Sequence, residues 1–103
     1  MGMMLTGRTV MAEEGAKLGF VNEVVSGDVV TAAREWADAI LVCSPLSVRA
    51  TKAAVHAGLD APLPVAIDAA WRHPAVVAML ASDDAREGPE AFTQKRPAVW
   101  RGR

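Results

Sequence analysis

Carboxylates in close sequence order are the first residues here whose types and spacing point to chemistry. Glu13 adjoins Glu14, and Asp83, Asp84 and Glu87 fall within one five-residue stretch. Two carboxylates converging on one substrate atom could serve as general acid and general base. Adjacent helical residues point about 100° apart, so Glu13 and Glu14 diverge. They suit the first turn of a helix, where negative charge meets the helix dipole. The second set can share a helix face, because spacings of three and four do so. Asp84 followed by Glu87 also fits a capping-box-like helix start, and capping is the expectation.

The other reactive side chains read as structural. His56 and His73 have no partners at metal-ligand spacing. Ser44, Ser47 and Ser82 lack a nucleophile-elbow context and read as caps or loops. Cys43 is the single cysteine, which excludes an internal disulfide, and it reads as a small buried hydrophobe. Near the end of the sequence Lys95, Arg96, Arg101 and Arg103 interleave with Phe92 and Trp100. Such a patch could hold phosphates and stack a base. On composition alone it reads as a solvated tail.

The elements that would position these groups are mostly helices. Met1–Leu5 reads as the last turn of a helix, broken at Gly7. Ala12–Leu18 reads as a short helix stopped by Gly19. Phe20–Val25 reads as one short strand, closed by Ser26-Gly27. Asp28 is an N-cap for a helix over Val29–Val42, where Val29, Ala33, Trp36 and Ile40 repeat at helical spacing. Ser44-Pro45 opens the next helix, which runs to about Ala57 with Gly58 as its stop. Its small face is Leu46, Ala50, Ala53 and Ala57, and Arg49, Lys52 and His56 lie opposite. Asp60–Ser82 reads as helical, with Leu63, Ile67, Ala70, Trp71, Val77 and Leu80 inward. Pro74 should kink or split it. A last helix spans about Asp83–Lys95, with a restart at Pro89, and Pro97 ends it. A lone strand has no ladder partner, so the strand and the uncapped first helix together suggest a fragment.

Length and composition agree with a small helical module. The chain has 103 residues, so one domain at most is expected. Hydrophobic residues make up 51% and aromatics only 5%, so Ala and Val dominate and each helix offers little apolar area. Such a module is expected to pack against something else. The formal net charge of −1 argues against nucleic acid or a membrane surface as partner. The apolar start at Met1–Leu5 is too short for a signal peptide, and no stretch approaches the ~20 residues of a transmembrane span. The expectation is a soluble cytoplasmic protein.

Four stretches together resemble the enoyl-CoA hydratase/isomerase (crotonase) family. The first combines Leu5-Thr6-Gly7-Arg8, Ala12-Glu13-Glu14-Gly15-Ala16 and Leu18-Gly19-Phe20-Val21-Asn22-Glu23-Val24-Val25. The second is Ser44-Pro45 with Val48-Arg49-Ala50-Thr51-Lys52. The third is Ser82-Asp83-Asp84-Ala85-Arg86-Glu87-Gly88, and the fourth is Ala91-Phe92-Thr93-Gln94-Lys95-Arg96-Pro97. Their order and spacing carry the resemblance. It departs from the family pattern at Met11, where a Ser-type cap is usual, at Asp83-Asp84 and at Pro74. The ending Pro97–Gly102 resembles the family's carnitinyl-CoA dehydratase-like branch.

The resemblance implies a mainly α fold: the C-terminal helical segment of the ClpP/crotonase-like fold with one short strand. It assigns 1–27 to the end of the spiral core and 28–103 to a helical trimerisation region. It implies action on acyl-CoA thioesters in a full-length form, with the oxyanion-hole amides and the catalytic glutamates outside this stretch. No catalytic residue is therefore expected here, and this chain reads as a catalytically incomplete C-terminal fragment. The alternative is a standalone helical oligomerisation module. The resemblance also places Phe92 and Lys95 at the nucleotide end of CoA, three residues apart on one helix face. It implies no cofactor, since the CoA thioester is the substrate, and no metal. The implied partners are acyl-CoA and further copies of the chain, as a trimer or dimer of trimers.

Overall fold

A computed structural model describes all 103 residues and contains seven helices and no strand. Met1–Glu35 and Trp36–Arg103 form two compact units.

In the first unit, α1 (Gly2–Thr6) closes at Gly7, which takes the left-handed conformation expected of it (φ 63°). Helix α2 (Ala12–Leu18) starts at Met11 without a side-chain cap. Glu13 and Glu14 occupy its first turn as expected. Glu14 also accepts two hydrogen bonds from the Arg8 guanidinium, at 3.0 and 2.7 Å. Those bonds hold the Glu14 carboxyl below its ordinary value. Gly19 ends the helix at φ 86°.

The expected strand over Phe20–Val25 does not form. The amides of Phe20 and Val21 turn back to the Gly15 carbonyl, at 3.2 and 3.3 Å. A strand needs a neighbour to pair with, and the chain supplies none, so local bonds to α2 win. Gly15 permits this return. A Cβ there would stand 2.8 Å from Val21 Cγ2. Helix α3 (Val29–Leu41) begins beneath Asp28, whose carboxylate accepts from the Thr31 hydroxyl (2.7 Å) and the amides of Val30 and Thr31. The Thr31 hydroxyl first, then those amides, lower the Asp28 pKa.

The second unit is built on α4 (Pro45–Gly58), which packs on α5 (Leu63–Arg72) and α6 (Pro74–Leu80). Ser44 caps α4 through the amides of Leu46 and Ser47, with Pro45 in the first turn. Helix α4 ends at Gly58, one residue beyond the expected Ala57. Gly58 lies inside the last turn, and a Cβ there would sit 3.0 Å from the Ala66 Cβ. Its lack of a side chain lets α5 approach. Pro74 splits the next helical stretch as expected, with His73 extended between α5 and α6. His73 Nδ1 accepts from the Ala75 amide at 3.2 Å, so this histidine is a cap. Helix α7 (Asp83–Thr93) packs on α6 and runs through Gly88-Pro89 without the expected restart.

The buried apolar residues are small: Ala50, Val76 and Ala91. Leu63, Ile67, Trp71, Val77 and Leu80 do not face inward as expected; each is more than half exposed. Alanines at the contacts let helices approach closely, and the larger side chains are left outside. Cys43 is likewise exposed rather than buried, its Sγ 3.7 Å from the Ala39 carbonyl.

Candidate functional site

The residues with chemistry-bearing side chains gather along α7 and the segment after it. Ser82 caps the helix, accepting from the Ala85 amide at 3.2 Å. This takes the role expected of Asp84 with Glu87. Asp84 instead turns inward and is nearly fully buried. Its carboxylate accepts from the Ser44 hydroxyl (2.7 Å), the Arg101 amide (2.7 Å) and the Gly102 amide (3.2 Å). Burial alone would push this carboxyl up. The Arg101 amide, the Ser44 hydroxyl and the Gly102 amide outweigh it and leave the group below its ordinary value. One carboxylate thus joins the start of α4, the start of α7 and the end of the chain.

Glu87 makes a second clamp one turn further on. Arg96 grips it with both guanidinium nitrogens, at 2.5 and 2.9 Å, and the Val99 amide adds a bond of 2.7 Å. The Arg96 bond is the main cause, with the Val99 amide next, of a Glu87 pKa lowered to about 2. Arg96 is correspondingly raised by its bond to Glu87. Trp100 completes the strap: its Nε1 donates to the Val42 carbonyl at 2.7 Å. The ring packs by Gly88, where a Cβ would lie 3.5 Å from it.

The Glu87 clamp makes the fold acid-sensitive. Its carboxyl falls from an ordinary 4.5 to about 2 on folding, so the folded state holds that proton less readily than the unfolded chain does. The contribution is full above pH 4.5 and is lost as pH falls toward 2. Thermal melts across that range should show Tm dropping with pH. In Glu87→Gln the drop should be visibly shallower. An unchanged slope in that variant would remove Glu87 as the cause.

Phe92 and Lys95 lie between the two anchored stretches. They do not share a helix face. Helix α7 ends at Thr93, and Lys95 stands beyond it with φ 51°, the one non-glycine residue in the left-handed region. Its amide donates to the Phe92 carbonyl at 3.2 Å, and the Arg96 amide reaches the Ala91 carbonyl at 3.0 Å. This is the double-bonded helix end that glycine usually completes. A lysine there costs about 1 kcal/mol of backbone strain. The surroundings hold it all the same. Phe92 is 87% exposed, so it is no core anchor. No ion pair engages the Lys95 ammonium. An aromatic face and an unpaired cation are thus both offered to solvent, next to a chain reversal that is fixed at Arg96 and Val99.

The family resemblance singled out Phe92 and Lys95 on one helix face, and nothing in the sequence signalled the left-handed lysine. Neither clamp was signalled locally, since Glu87 meets residues nine and twelve positions on and Asp84 meets Ser44 forty positions back. The separate groove between α4 and α5, about 450 Å3, is lined by apolar side chains such as Val55, Leu59, Leu63 and Ile67. It offers a surface for packing rather than for bond-making. No helix is long and apolar enough to cross a membrane.

Comparison with known proteins agrees over the whole length. The enoyl-CoA hydratase/isomerase family model matches residues 1–103. A carnitinyl-CoA dehydratase of Salmonella typhi is 37% identical over 107 residues, covering 98% of this chain. This chain spans only 40% of that relative's length. The crystal structure of an enoyl-CoA hydratase/isomerase from Mycobacterium paratuberculosis superposes with a TM-score of 0.85 at 34% identity, over 95% of this chain and 38% of that one. An enoyl-CoA hydratase from Mycobacterium marinum gives a TM-score of 0.83 at 33% identity, over 96% and 39% of the two chains.

Proposed function

Because the chain belongs to the enoyl-CoA hydratase/isomerase family, we propose that it serves an acyl-CoA enzyme by contacting the CoA nucleotide and by building the assembly. The whole protein would hydrate, dehydrate or isomerise a conjugated carbon–carbon double bond in an acyl-CoA thioester. Dehydration is the direction named for the carnitinyl-CoA dehydratases it resembles. That chemistry puts negative charge on the thioester oxygen, and amide donors must meet it, each worth a factor of about 10²–10³ in rate. By the family resemblance, those donors and the catalytic glutamates lie outside the stretch matched here.

The observation that carries the reading is Lys95, held in a left-handed conformation beside an exposed Phe92. Strain of this kind persists where the surroundings over-determine it, and such places are often ligand clamps. The ammonium suits a phosphate of CoA, and the ring suits its adenine. Titration of CoA against this protein by ligand-observed NMR should show saturable binding. Lys95→Ala should weaken it about tenfold, the effect of one charge-assisted contact. Lys95→Gly should weaken it equally while raising Tm, because glycine relieves the strained backbone. Equal CoA affinity in all three proteins would remove Lys95 from the site. Hydration of a short trans-2-enoyl-CoA, followed by loss of its conjugated absorbance, supplies the second test. Turnover at a family-like rate by these 103 residues alone would overturn the division of labour.

The second role is association with further copies of the chain, as the trimer or dimer of trimers that the resemblance implies. Its support is the exposed apolar row on α5, Leu63, Ile67 and Trp71 at helical spacing. The lone free Cys43 suits a reducing cytoplasm.

A further inference from the structure

The Glu87 clamp ties down the chain immediately after Lys95. Arg96, the next residue, grips Glu87 with two nitrogens, and the Val99 amide bonds the same carboxylate. Between Thr93 and Arg96 the chain leaves the helix, and Lys95 takes the left-handed conformation needed to make that reversal. Arg96 is further tied by its Nε to Gln94 Oε1 at 2.7 Å and by its Nη1 to the Pro97 carbonyl at 3.2 Å. Each guanidinium nitrogen therefore bonds to protein: Nη1 and Nη2 to Glu87, Nη1 also to the Pro97 carbonyl, and Nε to Gln94. It is a brace, and the ammonium beside it is the cation left for a ligand. A lysine on a loose chain end would have to be ordered when the ligand binds, and that ordering weakens affinity. Here the backbone that carries it is ordered already.

We propose that Glu87 is a positioning residue for CoA: acting through Arg96, it fixes the backbone at Lys95 so that the ammonium is presented to a phosphate. The inference rests on the reading above, that Lys95 meets CoA, and adds the group that makes the contact effective. It predicts that Glu87 matters to CoA affinity only while Lys95 is there to be positioned.

A double-mutant cycle tests that dependence, with CoA itself as the probe and the full chain as the protein. Glu87→Gln removes the charge and the fork-to-fork pairing but keeps an acceptor for the Val99 amide. Arg96→Lys loosens the same brace from the other side and serves if the first variant folds poorly. Helix content by circular dichroism and the melting curve are followed for each. Glu87→Gln and Arg96→Lys should each weaken CoA binding several-fold, approaching the about tenfold loss in Lys95→Ala. In the Lys95→Ala background neither should weaken it further. A merely structural role would lower Tm and leave that coupling at zero. Wild-type or tighter CoA affinity in both brace variants, with Lys95→Ala weakened, overturns the inference and leaves the Lys95 reading standing. Additive losses in the double variants overturn it as well. Lys95→Ala binding CoA as the unsubstituted protein does, or no saturable CoA binding at all, overturns the underlying reading and the inference with it.

Discussion

Replacing Asp84 by alanine is expected to lower the Tm by about 10 °C, a large shift for a domain of this size. The side chain is 4% exposed and its two oxygens take bonds from Ser44, Arg101 and Gly102. Alanine removes the acceptor and leaves donors behind. Ser44 is itself only 4% exposed, so its hydroxyl has little water to turn to. Groups left in that condition account for most of the damage when a buried partner is deleted. The tail should come loose at the same time, because Trp100 and the backbone of Arg101 and Gly102 follow one another along it. Tryptophan emission should shift to longer wavelength as Trp100 leaves the Val42 carbonyl. Asp84→Asn should fall between the two, since it keeps one acceptor oxygen and turns an amide donor toward amide donors. A melting temperature within about 2 °C of the unsubstituted protein in Asp84→Ala would show that the tail is held by other contacts.

Placing aspartate at both Ile67 and Trp71 is expected to weaken self-association by on the order of 100-fold or more. Ile67 is 54% and Trp71 66% exposed on α5. Packing of α5 on α4 uses Ala66 against Gly58, so the two larger side chains are available to another surface. Fully burying such a side chain is worth about 1.5–3 kcal/mol. Each aspartate would forfeit that and add an unpaired charge to an apolar contact. Sedimentation velocity on the unsubstituted protein should show species larger than the 10.9 kDa monomer, and the double variant should return to the monomer with its helix content kept. A monomer in both cases, with little dye-detectable apolar exposure, would dispose of the assembly role.

Much of the local architecture was determined by short stretches of sequence. Asp28, Ser44-Pro45 and His73-Pro74 start or split helices where the residue types demand it, and Gly7 and Gly19 end them. A cap works through bonds two or three residues away, so its physics is visible in a window of that width. The family motifs are legible for the same reason.

What a window could not decide was left to tertiary contacts. Phe20–Val25 has strand-like residues, yet with no partner strand its first amides bond back to Gly15. Gly58 reads as a stop and the helix does end there, but only the fold shows that Ala66 also needs its missing side chain. Asp84 looks like a cap, yet Ser44, forty residues away, and the Arg101 amide claim it. Lys95 was expected on a helical face, yet the chain reversal braced by Glu87 and Arg96 draws it into a left-handed conformation. A carboxylate, an amide or a glycine is compatible with several local roles of similar energy. The choice falls to whichever distant donor or surface the fold brings within bonding distance, and only the folded chain specifies that.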